Sequence, residues 1–103
     1  MVKTWGGRSK FEYSGSVNSG TEITYGKGWK ARVSASEYSS LRHHFFGRIV
    51  PEGTSRTDPP DDSIGAWLLA NVISNNIACY VAAILVLEGY AKRVGKHDIC
   101  ITK

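Results

Sequence analysis

Histidines and aspartates are the side chains in this sequence that could hold a metal ion, and their spacing argues against one. His43 and His44 are adjacent, so on a helix their side chains diverge by about 100° and cannot bind one ion without partners elsewhere. Neither has a His or Cys three or four residues further on. Asp58, Asp61 and Asp62 are clustered, but the calcium-loop pattern is absent. We predict no metal and no cofactor, and interpret these aspartates as caps of a helix N-terminus.

The two cysteines lack an evident base that could activate them. Cys79 lies inside an apolar run and is typical of a buried small hydrophobe. Cys100 follows His97 by three residues, but on a strand side chains three apart point to opposite faces. Gly26-Lys27-Gly28 could cradle a phosphate, yet it lacks the length of a P-loop and fits a hairpin turn. No pair of groups has acid–base or nucleophile spacing, so we rank an enzyme third among the function classes.

Basic residues are concentrated in the first half of the chain. The formal net charge is +4, and residues 1–50 carry eight basic and three acidic side chains. Such a half can attract nucleic acid or another polyanion. Aromatic residues alternate with the charges on these segments, so most of them should point into the core. Nucleic-acid binding is therefore the alternative function, through a basic sheet face formed by Arg8, Lys10, Lys27, Lys30 and Arg32.

The segments that must position these side chains begin with β-structure. Apolar and polar residues alternate within 10–14, 22–25 and 29–33, which predicts strands with one apolar and one polar face. Glycine-containing breaks at 18–20 and 26–28 predict tight turns, hence a three-stranded antiparallel meander. Alternation over residues 98–102 predicts a last strand, which we expect to join the same sheet.

Three helices are predicted after the meander. Ser34 and Glu37 fit a capping box at the start of the first, which should end near Gly47. The second should run over about 64–73, with Asp62 or Ser63 as its N-cap, and the third over about 77–94. We therefore expect one α+β domain over 1–103, in which the meander and a C-terminal strand pack against three helices with a highly apolar third helix.

An apolar segment constrains the fold most. Residues 77–87 contain no polar break, but a membrane span needs about 20 apolar residues, so Glu88 and Gly89 end the run too early and we predict no membrane contact. Pairing with Lys92 one helical turn later explains Glu88, and a buried, proton-active carboxyl is the alternative. Alanine favours helix over strand, so the segment should be a buried helix.

That helix leads us to expect self-association. A helix that is apolar on nearly all sides needs contacts on nearly all sides, and 103 residues offer limited cover. We expect a second copy of the chain to contact it, since two-fold homo-oligomers are common, through Tyr80, Val81, Ile84 and Leu85. A fully buried helix in a monomer is the alternative.

The function favoured by the sequence is a small, self-associating, non-enzymatic interaction module in a reducing, cytoplasmic setting. Its main partner would be itself, with nucleic acid or a small molecule as alternatives, the latter in a pocket between subunits. A ligand should lie near the 51–62 loop or in a cleft between helices and sheet. Large aromatics and arginine favour binding surfaces, which singles out Tyr38, Arg56 and Trp67, although Tyr38 and Trp67 also suit the core.

Overall fold

The N-terminal half forms an antiparallel sheet in the computed structural model, which describes residues 2–4, 10–55 and 58–103. Four strands lie in chain order across this first sheet: β1 (Val2–Lys3), β2 (Lys10–Ser16), β3 (Gly20–Tyr25) and β4 (Trp29–Val33). The predicted three-stranded meander is thus confirmed as β2–β4. The sequence did not predict the strand β1, in which Val2 pairs with Phe11, because two residues are too few to show an alternating pattern.

The two faces of the first sheet differ as the alternation predicts. Phe11, Ile23 and Ala31 are buried on the inner face, whereas Glu12 and Arg32 are accessible on the outer face. Gly28, in the turn before β4, has a φ of 102°, a left-handed conformation that a residue with a Cβ rarely adopts. The turn and the apolar face together fix the register of the meander.

The C-terminal strand belongs to a second sheet, so the expectation that it joins the meander is wrong. This second sheet contains β5 (Ile49–Pro51), β6 (Ala91–Val94) and β7 (Asp98–Ile101), in the order β5-β7-β6 with antiparallel pairs. Residues 91–94 were expected to end the third helix and instead form β6. A short turn then brings β7 back beside β6, and this local partner determines the sheet that β7 enters.

Three helices are present among the described residues: α1 (Ala35–Phe45), α2 (Ile64–Asn71) and α3 (Ala78–Leu87). The predicted capping box at Ser34 is confirmed, and Ser63 rather than Asp62 caps α2. Asp62 instead accepts a hydrogen bond from the Arg48 guanidinium at 2.5 Å. The third helix is shorter than predicted, because Gly89 adopts a φ of 84° directly after Glu88, which ends a helix.

The hydrophobic core lies around α3. The architecture is α+β, and both sheets pack against helices. Val81, Ile84 and Leu85 are fully buried within one chain, and α3 packs against α2 and β6. On the side of the first sheet, the Tyr80 ring lies 5.1 Å from that of Phe11 and 4.8 Å from that of Tyr25, between centroids. A single chain therefore supplies the cover that we expected from a second copy, and the reason for placing a subunit interface at α3 no longer holds.

Hydrogen bonds of one side chain connect the loop after β5 to the start of α3. The Asn76 amide nitrogen donates to the Gly53 backbone oxygen at 2.7 Å and to the Ser55 backbone oxygen at 2.6 Å. Its amide oxygen accepts from the Ala78 backbone N–H at 2.9 Å. Because of these contacts, Gly53 and Ser55 have a defined position against the start of α3. In the described part of the chain, no helix combines the length and the apolar character needed to cross a bilayer.

Candidate functional site

Two neighbouring depressions lie along the exposed side of α1. One has a volume of about 520 Å³ and the other about 400 Å³. Ser39 and His43 line both, so the two depressions adjoin at these residues, and together they are called the α1 groove here. Its lining residues are Ser39, Ser40, Arg42, His43, His44, Phe46, Trp67, Asn71 and Lys103.

The pattern of α1 explains why these side chains face outward. Tyr38, Leu41 and Phe45 are fully buried and follow the helical spacing of an apolar stripe. The residues between them are therefore left on the opposite side, where Ser39 and His43 lie one turn apart and are exposed. The capping box at the start of the helix holds this rotation in place.

One wall of the groove comes from α2 and the other from the segment that follows α1. Trp67 and Asn71 are one turn apart, and the Asn71 amide donates to the Trp67 backbone oxygen at 2.9 Å. Trp67 is half-buried and packs against the core, so its ring is supported from behind. Phe46, at the opposite end, is 60% exposed. The groove thus offers an apolar contact near each end.

The positively charged side chain of Arg42 lies in the same depression as Phe46. The Arg42 Nε donates to the Lys103 backbone oxygen at 2.8 Å, and the guanidinium carbon lies 4.4 Å from the centroid of the Tyr90 ring. The remaining N–H groups of Arg42 can still face a ligand. No acidic residue is found among the described residues that line the groove. Such a surface can bind carboxylates or other anions beside apolar groups.

Only one of the three predicted ligand residues lies in this groove. Trp67 lines it. Tyr38 is in the core, where its hydroxyl is 2.7 Å from the Thr21 hydroxyl, and burial raises the pKa of Tyr38. Arg56 lies outside the described residues. Sequence reasoning did not single out Ser39 and considered His43 only as a metal ligand, because exposed polar residues on an amphipathic helix give no signal of a binding surface.

The predicted nucleic-acid surface is exposed but partly neutralised. Lys10, Lys27, Lys30 and Arg32 are all exposed, whereas Arg8 lies outside the described residues. One carboxylate serves two of these cations: a Glu22 oxygen is 3.8 Å from the Lys30 Nζ, and the other is 3.1 Å from the Arg32 Nε. These contacts lower the positive potential that a phosphate backbone would meet.

A buried carboxyl at the end of β5 was not predicted. Glu52 is only 7% exposed, and its backbone N–H donates to the His97 backbone oxygen at 2.8 Å. Burial raises the pKa of Glu52 to about 7, although the positive charge of Arg93 acts in the opposite direction. Burial, and secondly the negative charge of Glu52, raises the pKa of the Cys79 thiol to about 11. This cysteine is therefore a weak nucleophile near neutral pH.

Glu88 links the end of α3 to the first sheet, so the predicted pairing with Lys92 is wrong. Its carboxylate accepts from the Tyr13 hydroxyl at 2.8 Å and from the Val17 backbone N–H at 2.9 Å. Lys92 lies in β6 rather than one helical turn along. Burial, together with this hydrogen bond, raises the pKa of Tyr13 to about 12.

Comparison with known proteins gives no relative from which a function could be inferred. No family model, no curated protein and no solved structure matches the chain. Within the described ranges, no cluster of three or more His, Cys, Asp or Glu is placed to hold a metal ion. The α1 groove and the surfaces of the two sheets are therefore the features from which a function can be argued.

Proposed function

We propose that this protein is a non-enzymatic binding module that recognises a short acidic peptide segment in the α1 groove. The observation that supports this is the composition of the groove: basic, hydroxyl and aromatic side chains line it, and no carboxylate is among its described lining residues. Arg42 and Lys103 would meet acidic side chains, since a fixed guanidinium suits a carboxylate. Trp67 and Phe46 would contact apolar side chains of the same peptide.

The form of the groove favours a peptide over a compact small molecule. The two depressions are open and share Ser39 and His43, and the positions that line them along α1 run from Ser39 to Phe46, which is about 10 Å of helix at 1.5 Å per residue. An extended peptide covers that length with about three residues. Small-molecule sites, by contrast, enclose most of the ligand surface.

The direct test is a titration followed by amide chemical shifts of the labelled protein. The probe is an eight-residue peptide of alternating Glu and Leu, and its control replaces every Glu with Lys. We expect the acidic peptide to shift the signals of Ser39, His43 and the Trp67 indole, and the basic peptide to leave them in place. Equal binding of both peptides, or no shift at these residues up to millimolar peptide, would contradict the proposal.

A matched pair of variants tests the location. His43→Glu places a negative charge in the groove, so it should weaken binding of the acidic peptide by about tenfold, as expected for about 1.4 kcal/mol of repulsion. His97→Glu adds the same charge at an exposed histidine away from the groove and should leave binding unchanged. Equal effects of the two variants would show that only net charge matters.

A random DNA duplex supplies the competing outcome. If nucleic acid is the ligand, the duplex will bind with an affinity that falls steeply with salt. It will then shift the signals of Lys30 and Arg32 on the outer face of the first sheet rather than those of the groove. That result would move the function from a peptide to nucleic acid.

A further inference from the structure

The outer face of the second sheet carries six side chains in two rows across its strands. The registered pairs place Ile49, Cys100 and Lys92 in one row, and Pro51, Asp98 and Val94 in the other. The intervening positions point inward, where Val50 and Ile99 are buried. Side chains of one sheet face stand together, so these two rows form a single surface, called the outer face of the second sheet here.

This outer face carries four uncharged and two charged side chains, and it is only partly covered by the described part of the chain. Ile49 is 62% exposed on it, next to Val50, which is 3% exposed on the other side. Pro51, Val94 and Cys100 are each only partly buried. A strand normally places polar residues on a face that meets water, and Ile49 departs from this rule beside three partly buried uncharged side chains.

The charges on the outer face of the second sheet indicate what would cover it. Lys92 and Asp98 are one cation and one anion in different rows, and neither takes part in an ion pair between described residues. A partner of single-signed charge would satisfy one of them and be repelled by the other. A second copy of the same face offers both signs, and two-fold symmetry makes each contact twice.

We propose that two copies of this chain associate face to face through the outer face of the second sheet, with Lys92 of each copy meeting Asp98 of the other and Ile49, on the edge strand β5, packing against the other copy. The face spans three strands, or about 10 Å between its outer strands at about 4.8 Å spacing. This is smaller than a standard interface of about 800 Å² per partner. The dimer is therefore weak, with a dissociation constant in the range of about 10⁻⁵ to 10⁻³ M, and dissociates on dilution.

Sedimentation equilibrium from about 10 μM to 1 mM tests the association. The wild-type chain should show a reversible monomer–dimer equilibrium in that range. Ile49→Asp should weaken dimerisation at least tenfold, because it replaces an apolar contact of the proposed interface with a carboxylate. Leu87→Asp is the matched control, since Leu87 is equally accessible at 60% but lies on α3, and it should leave the equilibrium unchanged. Circular dichroism establishes that both variants are folded.

Charge exchange tests the orientation of the two copies. Lys92→Glu alone and Asp98→Lys alone should each weaken self-association about tenfold, because each face then carries two like charges. An equimolar mixture of the two variants should associate at least as well as the wild type, since unlike faces then meet. A wild-type chain that is monomeric at 1 mM, or a mixture that associates no better than either variant alone, would overturn the proposal. Neither result depends on peptide binding in the α1 groove.

Discussion

The two sheets differ in how their outer faces meet the surroundings. The first sheet presents polar and charged side chains, and Glu22 pairs there with both Lys30 and Arg32. The second sheet presents Ile49 and other apolar residues, and its two charges have no ion partner among the described residues. We therefore expect charge pairing, rather than net charge, to distinguish a solvated face from an interaction surface.

Both sheets depend on the same buried helix, so the largest effect should come from a change in α3. Leu85→Asp buries an unpaired carboxylate at a fully buried position and should lower the free energy of unfolding by about 4 kcal/mol or more. Denaturant unfolding measures the change. Leu87→Asp, at an exposed position of the same helix, should change it by less than about 0.5 kcal/mol. A folded Leu85→Asp variant of near wild-type stability would contradict the central role of α3.

The carboxyl of Glu52, next to the second sheet, should make the stability of the protein depend on pH. The pKa of Glu52 is about 7 in the folded protein, above the ordinary value of 4.5, so the folded state holds this proton more tightly than the unfolded chain does. Its contribution to stability is complete below about pH 4.5 and is lost as the pH rises to about 7. Partial screening by solvent limits the loss to about 1–2 kcal/mol.

The variant Glu52→Gln isolates this contribution. The amide cannot ionise, so the variant should gain stability relative to the wild type as the pH rises from 4.5 to 8. Denaturant unfolding at several pH values measures the difference, with Glu12→Gln on the outer face of the first sheet as the control. A difference between Glu52→Gln and wild type that does not change with pH would show that Glu52 keeps its charge when folded.

The smallest effect is expected on the outer face of the first sheet. Glu22→Gln removes the shared partner of Lys30 and Arg32, whose side chains are largely exposed. Exposed ion pairs contribute little, so the free energy of unfolding should fall by less than about 0.5 kcal/mol at physiological salt. The same variant should raise the affinity of a random DNA duplex for this face if the cations are otherwise accessible. A loss above about 1 kcal/mol would mean that the face is more than a solvated surface.

Local patterns in the sequence predicted the elements whose signals are themselves local. The alternation around Phe11 and Ile23 predicted the meander, and Ser34 with Glu37 predicted the start of α1. The same reasoning gave a wrong prediction for residues 91–94, because Lys92 and Arg93 suit the end of a helix and four residues show no clear periodicity of apolar positions. The order of the second sheet depends on pairing between distant segments, which no local pattern encodes.

The candidate site was predictable only in part for a similar reason. Trp67 was singled out by its residue type, and it does line the α1 groove. The remaining lining residues become a surface only when α1 and α2 pack together. Glu52 gave no signal, since it follows a strand of three residues at the start of a polar segment, and its position is set by backbone hydrogen bonds with His97 and Gly65, which are distant in the chain.

The central position of β7 has a consequence for how the chain is made. β5 and β6 pair with β7 and not with each other, so the second sheet cannot assemble during synthesis until residues 98–101 have left the ribosome. Until then, Val50 has no strand partner, and the inner side of β6 remains open to water. Closing a loop from Pro51 to Asp98 is slow compared with forming the local hairpins of the first sheet. The strands of the first sheet should therefore form earlier during synthesis, and those of the second sheet only once β7 has been made.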